Sequence, residues 1–295
     1  MARITFNQPL DNFDLNKAAQ AGATGQVVST SSTHIVFSEG NYKADLSGIF
    51  PSGNSQAGVF TGITYSLNDT PYVTISGLNV KVSDAANTTS LFSGNDQYIG
   101  SNGNDHFYAW PGNDTYSGNA GIDTVHYSAL KSDFTVSSVS TVATVKGLGK
   151  TDTLFNIERV NFQEDGTTLA LDVLAGQNAG SAYRLYQAAF DRKADTTGMK
   201  LWTQKLDAGV SLADVAMEFV NSNEFKTVNP NTDSASLINS YYQHVLHRAP
   251  DATGLAFWSN QMANGAGAND VLASFSESNE NVSNTAAELQ NGIWM

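Results

Sequence analysis

Cysteine is absent from this 295-residue chain, which excludes disulfides, thiolate metal sites and a cysteine nucleophile. Basic side chains are few: 15 Lys and Arg stand against 28 Asp and Glu, for a formal charge of −13 at pH 7. That balance argues against nucleic acid and anionic membrane surfaces as partners. Long apolar runs are missing too, so no membrane insertion is expected, and the stretch from Met1 to Gln20 has neither the basic nor the apolar region of a Sec-type signal peptide. Neither H-E-x-x-H nor G-x-S-x-G occurs, which removes a zinc protease and an esterase-type nucleophile elbow. Glu164 and Asp165 are adjacent, and adjacent carboxylates cannot flank a sugar bond.

What the chain does contain is a nine-residue period. From Leu91 to His126 it reads LFSGNDQYI, GSNGNDHFY, AWPGNDTYS and GNAGIDTVH. Gly94, Gly103, Gly112 and Gly121 hold the fourth place, Asp96, Asp105, Asp114 and Asp123 the sixth, and Tyr98, Phe107, Tyr116 and Val125 the eighth. Glycine suits the positive φ of a tight loop, the carboxylate is a hard oxygen ligand for Ca²⁺, and the eighth side chain points inward from a short strand. No Lys or Arg lies between Lys81 and Lys131, so no neighbour in sequence neutralises the four aspartates, and a bound cation is the simplest remedy. Asp outnumbers Glu 20 to 8, an excess that fits loop and metal-ligand chemistry.

These residues resemble the RTX (repeats-in-toxin) nonapeptide G-G-x-G-x-D-x-U-x, whose arrays form a parallel β-roll binding Ca²⁺. The resemblance implies two repeats per turn, hence Asp96 stacked with Asp114 and Asp105 with Asp123, loop carbonyls completing the shells, and about two full sites. The chain departs from the pattern at the first place, where glycine survives only as Gly100 and Gly118, and at the second, filled by Phe92, Ser101, Trp110 and Asn119. The likeness also implies type I secretion, with folding on meeting external calcium. The tail AAELQNGIWM is compatible with an export signal and equally with a terminal helix tucking in Ile293 and Trp294.

The expected class is multidomain α+β. Residues 1–90 read as an antiparallel β region: Phe60 to Leu67 and Val73 to Val82 alternate across a turn at Asn68-Asp69-Thr70-Pro71, with further strands at Val27-Val28 and His34–Phe37. Residues 91–175 form the parallel β-roll of nonapeptides with a β cap at Thr151–Val173, where Asp152 and Asp165 suit either an outer calcium or turn formation. Residues 180–295 form an all-α domain of two related units. Ala182, Leu185, Tyr186, Ala189 and Phe190 lie on one helical stripe, as do Leu212, Val215, Ala216, Phe219 and Val220, and Ser211 with Asp214 makes a capping box.

A shift of 56 residues superposes Tyr186 on Tyr242, Arg192 on Arg248, Asp195 on Asp251, Trp202 on Trp258, Phe219 on Phe275 and Glu224 on Glu280. Each unit reads as helix, loop, helix, with the Trp as core anchor and Arg192 and Arg248 paired with Asp195 and Asp251. The motif resembles a helical domain of unknown function common in secreted bacterial RTX proteins. Of the five histidines, His106 and His126 read as packing residues on the repeats, His34 carries no motif, and His244 and His247 stand at i, i+3 without further ligands.

The function expected from these residues and their resemblances is that of a secreted, non-enzymatic, calcium-binding structural protein at the cell surface or in the matrix. Its role would be S-layer-like, in biofilm or in adhesion, with self-association or a cell-surface glycan or protein as partner. A recognition module acting through the helical units is the alternative, and a small secreted enzyme with a site in residues 1–90 a second one.

Overall fold

The computed structural model describes residues 1–9, 15–51, 58–81 and 92–295, so the Val82 and Leu91 of the patterns above lie outside the described residues. The fold is mixed α+β, and the chain divides into two units, Met1–Thr167 and Thr168–Met295.

The first unit begins with β1 (Arg3–Phe6), α1 (Leu15–Thr24), β2 (Gln26–Thr30), β3 (His34–Glu39), β4 (Tyr42–Ile49), β5 (Val59–Leu67) and β6 (Thr70–Lys81). β2 to β6 form an antiparallel meander, and β1 returns beside β6. The turn joining β5 to β6 is tighter than the sequence suggests. Asn68 and Asp69 alone take it, at φ 50° and 63°, the positive-φ pair of a two-residue hairpin, and Thr70 and Pro71 already belong to the strand. α1 corrects the all-β reading of this region. It buries Ala18 and Ala21, side chains too small to mark a helical period.

The repeats follow as β7 (Gln97–Ile99), β8 (His106–Tyr108), β9 (Thr115–Ser117) and β10 (Thr124–Tyr127), then β11 (Phe134–Val139), β12 (Val142–Gly147), β13 (Lys150–Phe155) and β14 (Arg159–Phe162). Successive repeats alternate between two parallel ladders. β7 pairs with β9 and β9 with β13; β8 pairs with β10 and β10 with β14. β1 adds itself to the first ladder, parallel to β7, so the meander and the repeats share one sheet. The eighth-place side chains Tyr98, Phe107, Tyr116 and Val125 are buried. Tyr98 stacks on Tyr116 with ring centroids 4.7 Å apart, as expected for identical positions one layer apart.

In the second unit β15 (Thr167–Ala170) pairs with β16 (Ile293–Trp294), so the tail starts in a helix that ends at Leu289 and then seats Ile293 and Trp294 in a strand rather than in that helix. Between them lie α2 (Asn178–Phe190), α3 (Thr196–Asp207), α4 (Leu212–Asn221), α5 (Asn223–Val228), α6 (Ser234–Leu246), α7 (Ala252–Ala263), α8 (Ala268–Ser276) and α9 (Asn279–Leu289). Each of the last four starts 56 residues after its counterpart, as 178 and 234 or 196 and 252 show. A unit is therefore four helices rather than two.

α2 is buried nearly all round, Arg184 included. The Arg184 guanidinium meets Glu277 at 2.7 and 2.9 Å and the carbonyls of Val173 and Leu174 at 3.1 Å, which satisfies a charge that would otherwise be costly to bury. Trp202 packs edge-on against Phe219, and Trp258 lies tilted at 36° against Phe275. The Arg–Asp braces hold only in part. The close partners are glutamates, Arg192 with Glu224 and Arg248 with Glu280, both at 2.8 Å; Arg248 also reaches Asp251, at 4.0 Å, while Asp195 and Asp251 cap the N-termini of α3 and α7 through Gly198 N–H and Gly254 N–H. His247 ends α6 at φ 53°, so it leaves the helix face it was expected to share with His244. No helix among the described residues is long and apolar enough to cross a membrane.

Candidate metal centre

The loops that join the short strands stack as the strands do, and their sixth-place carboxylates form two columns. In the first, Asp96 N–H donates to Asp114 Oδ1 at 2.9 Å, and Asp114 N–H to Asp152 Oδ1 at 2.9 Å. Ala2 N–H, from β1, donates to Asp96 Oδ1 at 2.5 Å and so begins the column. In the second, Asp105 N–H donates to Asp123 Oδ1 at 2.8 Å and Asp123 N–H to Glu158 Oε2 at 2.9 Å. Asp96 thus stands with Asp114 and Asp105 with Asp123. All four are 3% exposed or less.

The glycines explain why the layers come so close. A Cβ at Gly112 would lie 1.8 Å from the Gly94 carbonyl oxygen, and one at Gly121 would lie 2.6 Å from that of Gly103. Gly112 and Gly121 hold φ of 128° and 122°, as the tight loop requires; Gly94 and Gly103 do not adopt positive φ, a correction to the uniform loop conformation expected of the four. A Cβ at Gly94 would meet only Asp96 Oδ1, at 3.8 Å, and one at Gly103 the Pro9 ring, at 2.5 Å, so stacking demands glycine at Gly112 and Gly121 rather than at these two.

Three further contributors were not assigned a definite place from sequence. Asp152 and Glu158 extend the columns by one layer each. The inserted β11–β12 hairpin stretches the spacing from 18 residues to 38 and 35, but the local pattern persists as Asp152-Thr153-Leu154 and Glu158-Arg159-Val160. Asparagines at the fifth place form a ladder of their own: Asn113 N–H donates to Asn95 Oδ1, Thr151 N–H to Asn113 Oδ1 and Ile122 N–H to Asn104 Oδ1, at 2.7–2.9 Å. The recurrent Gly-Asn-Asp triplet was the available signal. Asp165 stays at the surface, accepting from Thr167 N–H and Lys131 N–H, so turn formation accounts for it.

Electrostatics show what the columns lack. Burial pushes the Asp114 carboxyl up to about 6, with Asp152 adding charge repulsion. Burial likewise raises Asp123 to about 7, with Glu158 and Asp105 adding theirs. The outermost layer of the first column has a fixed cation, since Lys150 Nζ lies 2.9 Å from Asp152 Oδ2 and 2.7 Å from the Trp110 carbonyl oxygen. Away from that lysine, Asp96 Oδ2 in the first column and Asp123 Oδ2 in the second are buried without a hydrogen-bond partner. Buried carboxylate oxygens left so are costly, and they suit a hard cation whose remaining ligands are backbone carbonyls and water. Among the described residues no three His, Asp or Glu side chains converge on one point, so side chains alone do not complete such a shell.

The raised values set a pH dependence with a definite sign. Both folded-state values lie above the ordinary carboxylate value of about 4, so in metal-free protein the contribution of these groups is fully present below pH 4 and lost as pH rises through 6 and 7. Metal-free protein is expected to melt at a higher temperature at pH 5 than at pH 7.5, and Asp123→Asn to flatten the difference. Thermal melts after exhaustive dialysis check this, and a lower melting temperature at pH 5 would contradict it.

Residues 92–125 match the RTX calcium-binding nonapeptide repeat, in 4 copies. Residues 177–229 and 216–285 match a domain of unknown function, DUF4214. No curated protein matches the chain.

Proposed function

We propose that the chain is a secreted, calcium-binding structural protein whose nonapeptides, within residues 91–175, form a parallel β-roll that folds on calcium after export. Asp96, Asp105, Asp114 and Asp123 would hold the ions, with Asp152 and Glu158 closing the columns and Gly94, Gly103, Gly112 and Gly121 letting the loops approach. Calcium, when bound, supplies positive charge to buried carboxylates. The observation that carries this reading is the pair of partnerless buried oxygens on Asp96 and Asp123, within a segment that matches a calcium-binding repeat. Folding coupled to a millimolar extracellular cation suits a protein that leaves the cell unfolded.

The proposed role is structural, at the cell surface or in the matrix, through self-association. Residues 1–90 supply the surface for it. β2 is an edge of the large sheet, all five of its residues are exposed, and it carries Val27 and Val28 without a charge. An uncharged open edge is a template for pairing with another chain. Light scattering is expected to show the particle growing as calcium is added, and lysine at Val27 and Val28 to prevent growth while leaving the circular dichroism response intact. A size independent of calcium would remove the self-association.

Residues 180–295, read as a duplicated helical unit, favour one second reading. Arg192 and Glu224 make the same exposed pair as Arg248 and Glu280, each guanidinium lying 5.0 Å over a buried tyrosine, Tyr186 or Tyr242. Two equivalent surfaces suit a repeated glycan or protein partner, and glycan-array binding lost in Arg192→Ala/Arg248→Ala would favour it. An enzyme has less support. A groove of about 480 Å³ lined by Thr24, Gly25, Gln26, Val28, Ser38, Glu39 and Gly40 brings in one carboxylate, and that carboxylate is already engaged by Gln20 and Thr24.

A further inference from the structure

The ladder of β8, β10 and β14 turns Phe107, Val125 and Val160 inward. Strand alternation therefore places His106, Tyr108, His126 and Asn161 on the opposite, outer face. There His106 Nδ1 lies 3.0 Å from His126 Nε2, and His126 Nδ1 lies 3.2 Å from Asn161 Oδ1. Tyr108 stacks on the His126 ring with centroids 4.9 Å apart. The two histidine rings are themselves stacked, 5.3 Å apart and 25° from parallel.

The chemistry of the row fixes its protons. An amide oxygen only accepts, so His126 Nδ1 carries the hydrogen and donates to Asn161. Its Nε2 therefore presents a lone pair, and the hydrogen between the rings belongs to His106 Nδ1. Burial also lowers the pKa of His126 and favours the neutral ring. A ligating imidazole held through its other nitrogen by a carbonyl oxygen is the arrangement that fixes tautomer and orientation in metal sites. Two metal–nitrogen bonds of about 2.0–2.1 Å, meeting at between a right angle and the tetrahedral angle, span a nitrogen separation of about 2.8–3.4 Å.

We propose that His106 Nδ1 and His126 Nε2 form a two-imidazole site for a divalent transition-metal ion of the Zn²⁺ or Cu²⁺ class, with water completing the shell and Asn161 orienting His126. On binding, the His106 hydrogen moves from Nδ1 to Nε2 and both ligands remain neutral. The site is separate from the aspartate columns in both place and preference, because imidazole selects these ions and carboxylate and carbonyl oxygens select calcium. The other histidines are placed differently: His34 pairs with Asp45, His244 meets Ser240, and His247 caps α6.

The test uses the full chain saturated with calcium and titrated with Cu²⁺ against a competing chelator, together with electron paramagnetic resonance of the Cu²⁺ form. One ion per chain, with hyperfine structure from two imidazole nitrogens, is the expected result. His106→Gln and His126→Gln should each weaken binding at least about tenfold, and Asn161→Leu about tenfold through loss of orientation, with the calcium response of every variant unchanged. Cu²⁺ affinity undiminished in the double histidine variant, or a spectrum with fewer than two imidazole nitrogens in the unmutated protein, would overturn the assignment. The spectrum of the unmutated protein decides the matter even if a variant folds poorly.

Discussion

Withdrawing calcium is expected to lower the melting temperature of the β-sheet unit by roughly 10–20 °C. Two ions, each at a hundredfold excess over its Kd, contribute about 2.7 kcal/mol apiece, or about 5 kcal/mol together. In a unit of this size 1 kcal/mol moves the midpoint by roughly 2–4 °C. The loss should appear in the β-sheet signal, since the aspartate columns lie wholly within Met1–Thr167. The helical signal of Thr168–Met295 should keep its own midpoint. Circular dichroism melts with and without chelator make the measurement, and superimposable β-sheet transitions would count against any stabilising ion in the columns.

Gly112→Ala is expected to cost about 3 kcal/mol or more and to abolish the proposed calcium-coupled folding of the repeats. Two independent penalties coincide there. The residue holds φ 128°, which an L side chain rarely adopts, and its Cβ would be driven to 1.8 Å from the Gly94 carbonyl oxygen. Backbone cannot swing aside as a side chain can, so the layers themselves would have to part, carrying Asp96 away from Asp114. Gly149→Ala is the control. Its φ is also positive, at 78°, but nothing lies within 4 Å of its added Cβ, so it should lose only the conformational part, about 1 kcal/mol. Equal losses at the two sites would mean that loop stacking contributes little.

The aspartate columns were legible in the sequence because they are periodic. A strict nine-residue repeat announces its own stacking, and Asp96, Asp105, Asp114 and Asp123 could be named from it. What interrupted the period escaped. Asp152 and Glu158 continue the columns in space, yet the β11–β12 hairpin between them and the repeats breaks the register, so the sequence leaves Asp152 between an outer calcium and a turn and does not single out Glu158. The first layer is harder still: β1 joins the ladder from the start of the chain, and Ala2 contributes only a backbone N–H, which no side-chain pattern records.

The same division runs through the helical unit. The 56-residue offset was visible, but Arg192 and Arg248 were matched with the near carboxylates Asp195 and Asp251 instead of Glu224 and Glu280, 32 residues on. Proximity in sequence favoured the more distant partner, which Arg248 reaches only at 4.0 Å, because Asp195 and Asp251 had a stronger local use, accepting the N–H groups that open a helix. α1 escaped for the opposite reason: a helix that buries alanines leaves almost no hydrophobic period to read.

The most direct measurement is anomalous scattering from crystals grown with calcium. Ions are expected between stacked loops, about 2.3–2.6 Å from carboxylate oxygens of Asp96 or Asp114 in one column and Asp105 or Asp123 in the other. Calcium peaks found only elsewhere, with both columns free of anomalous density, would contradict the account.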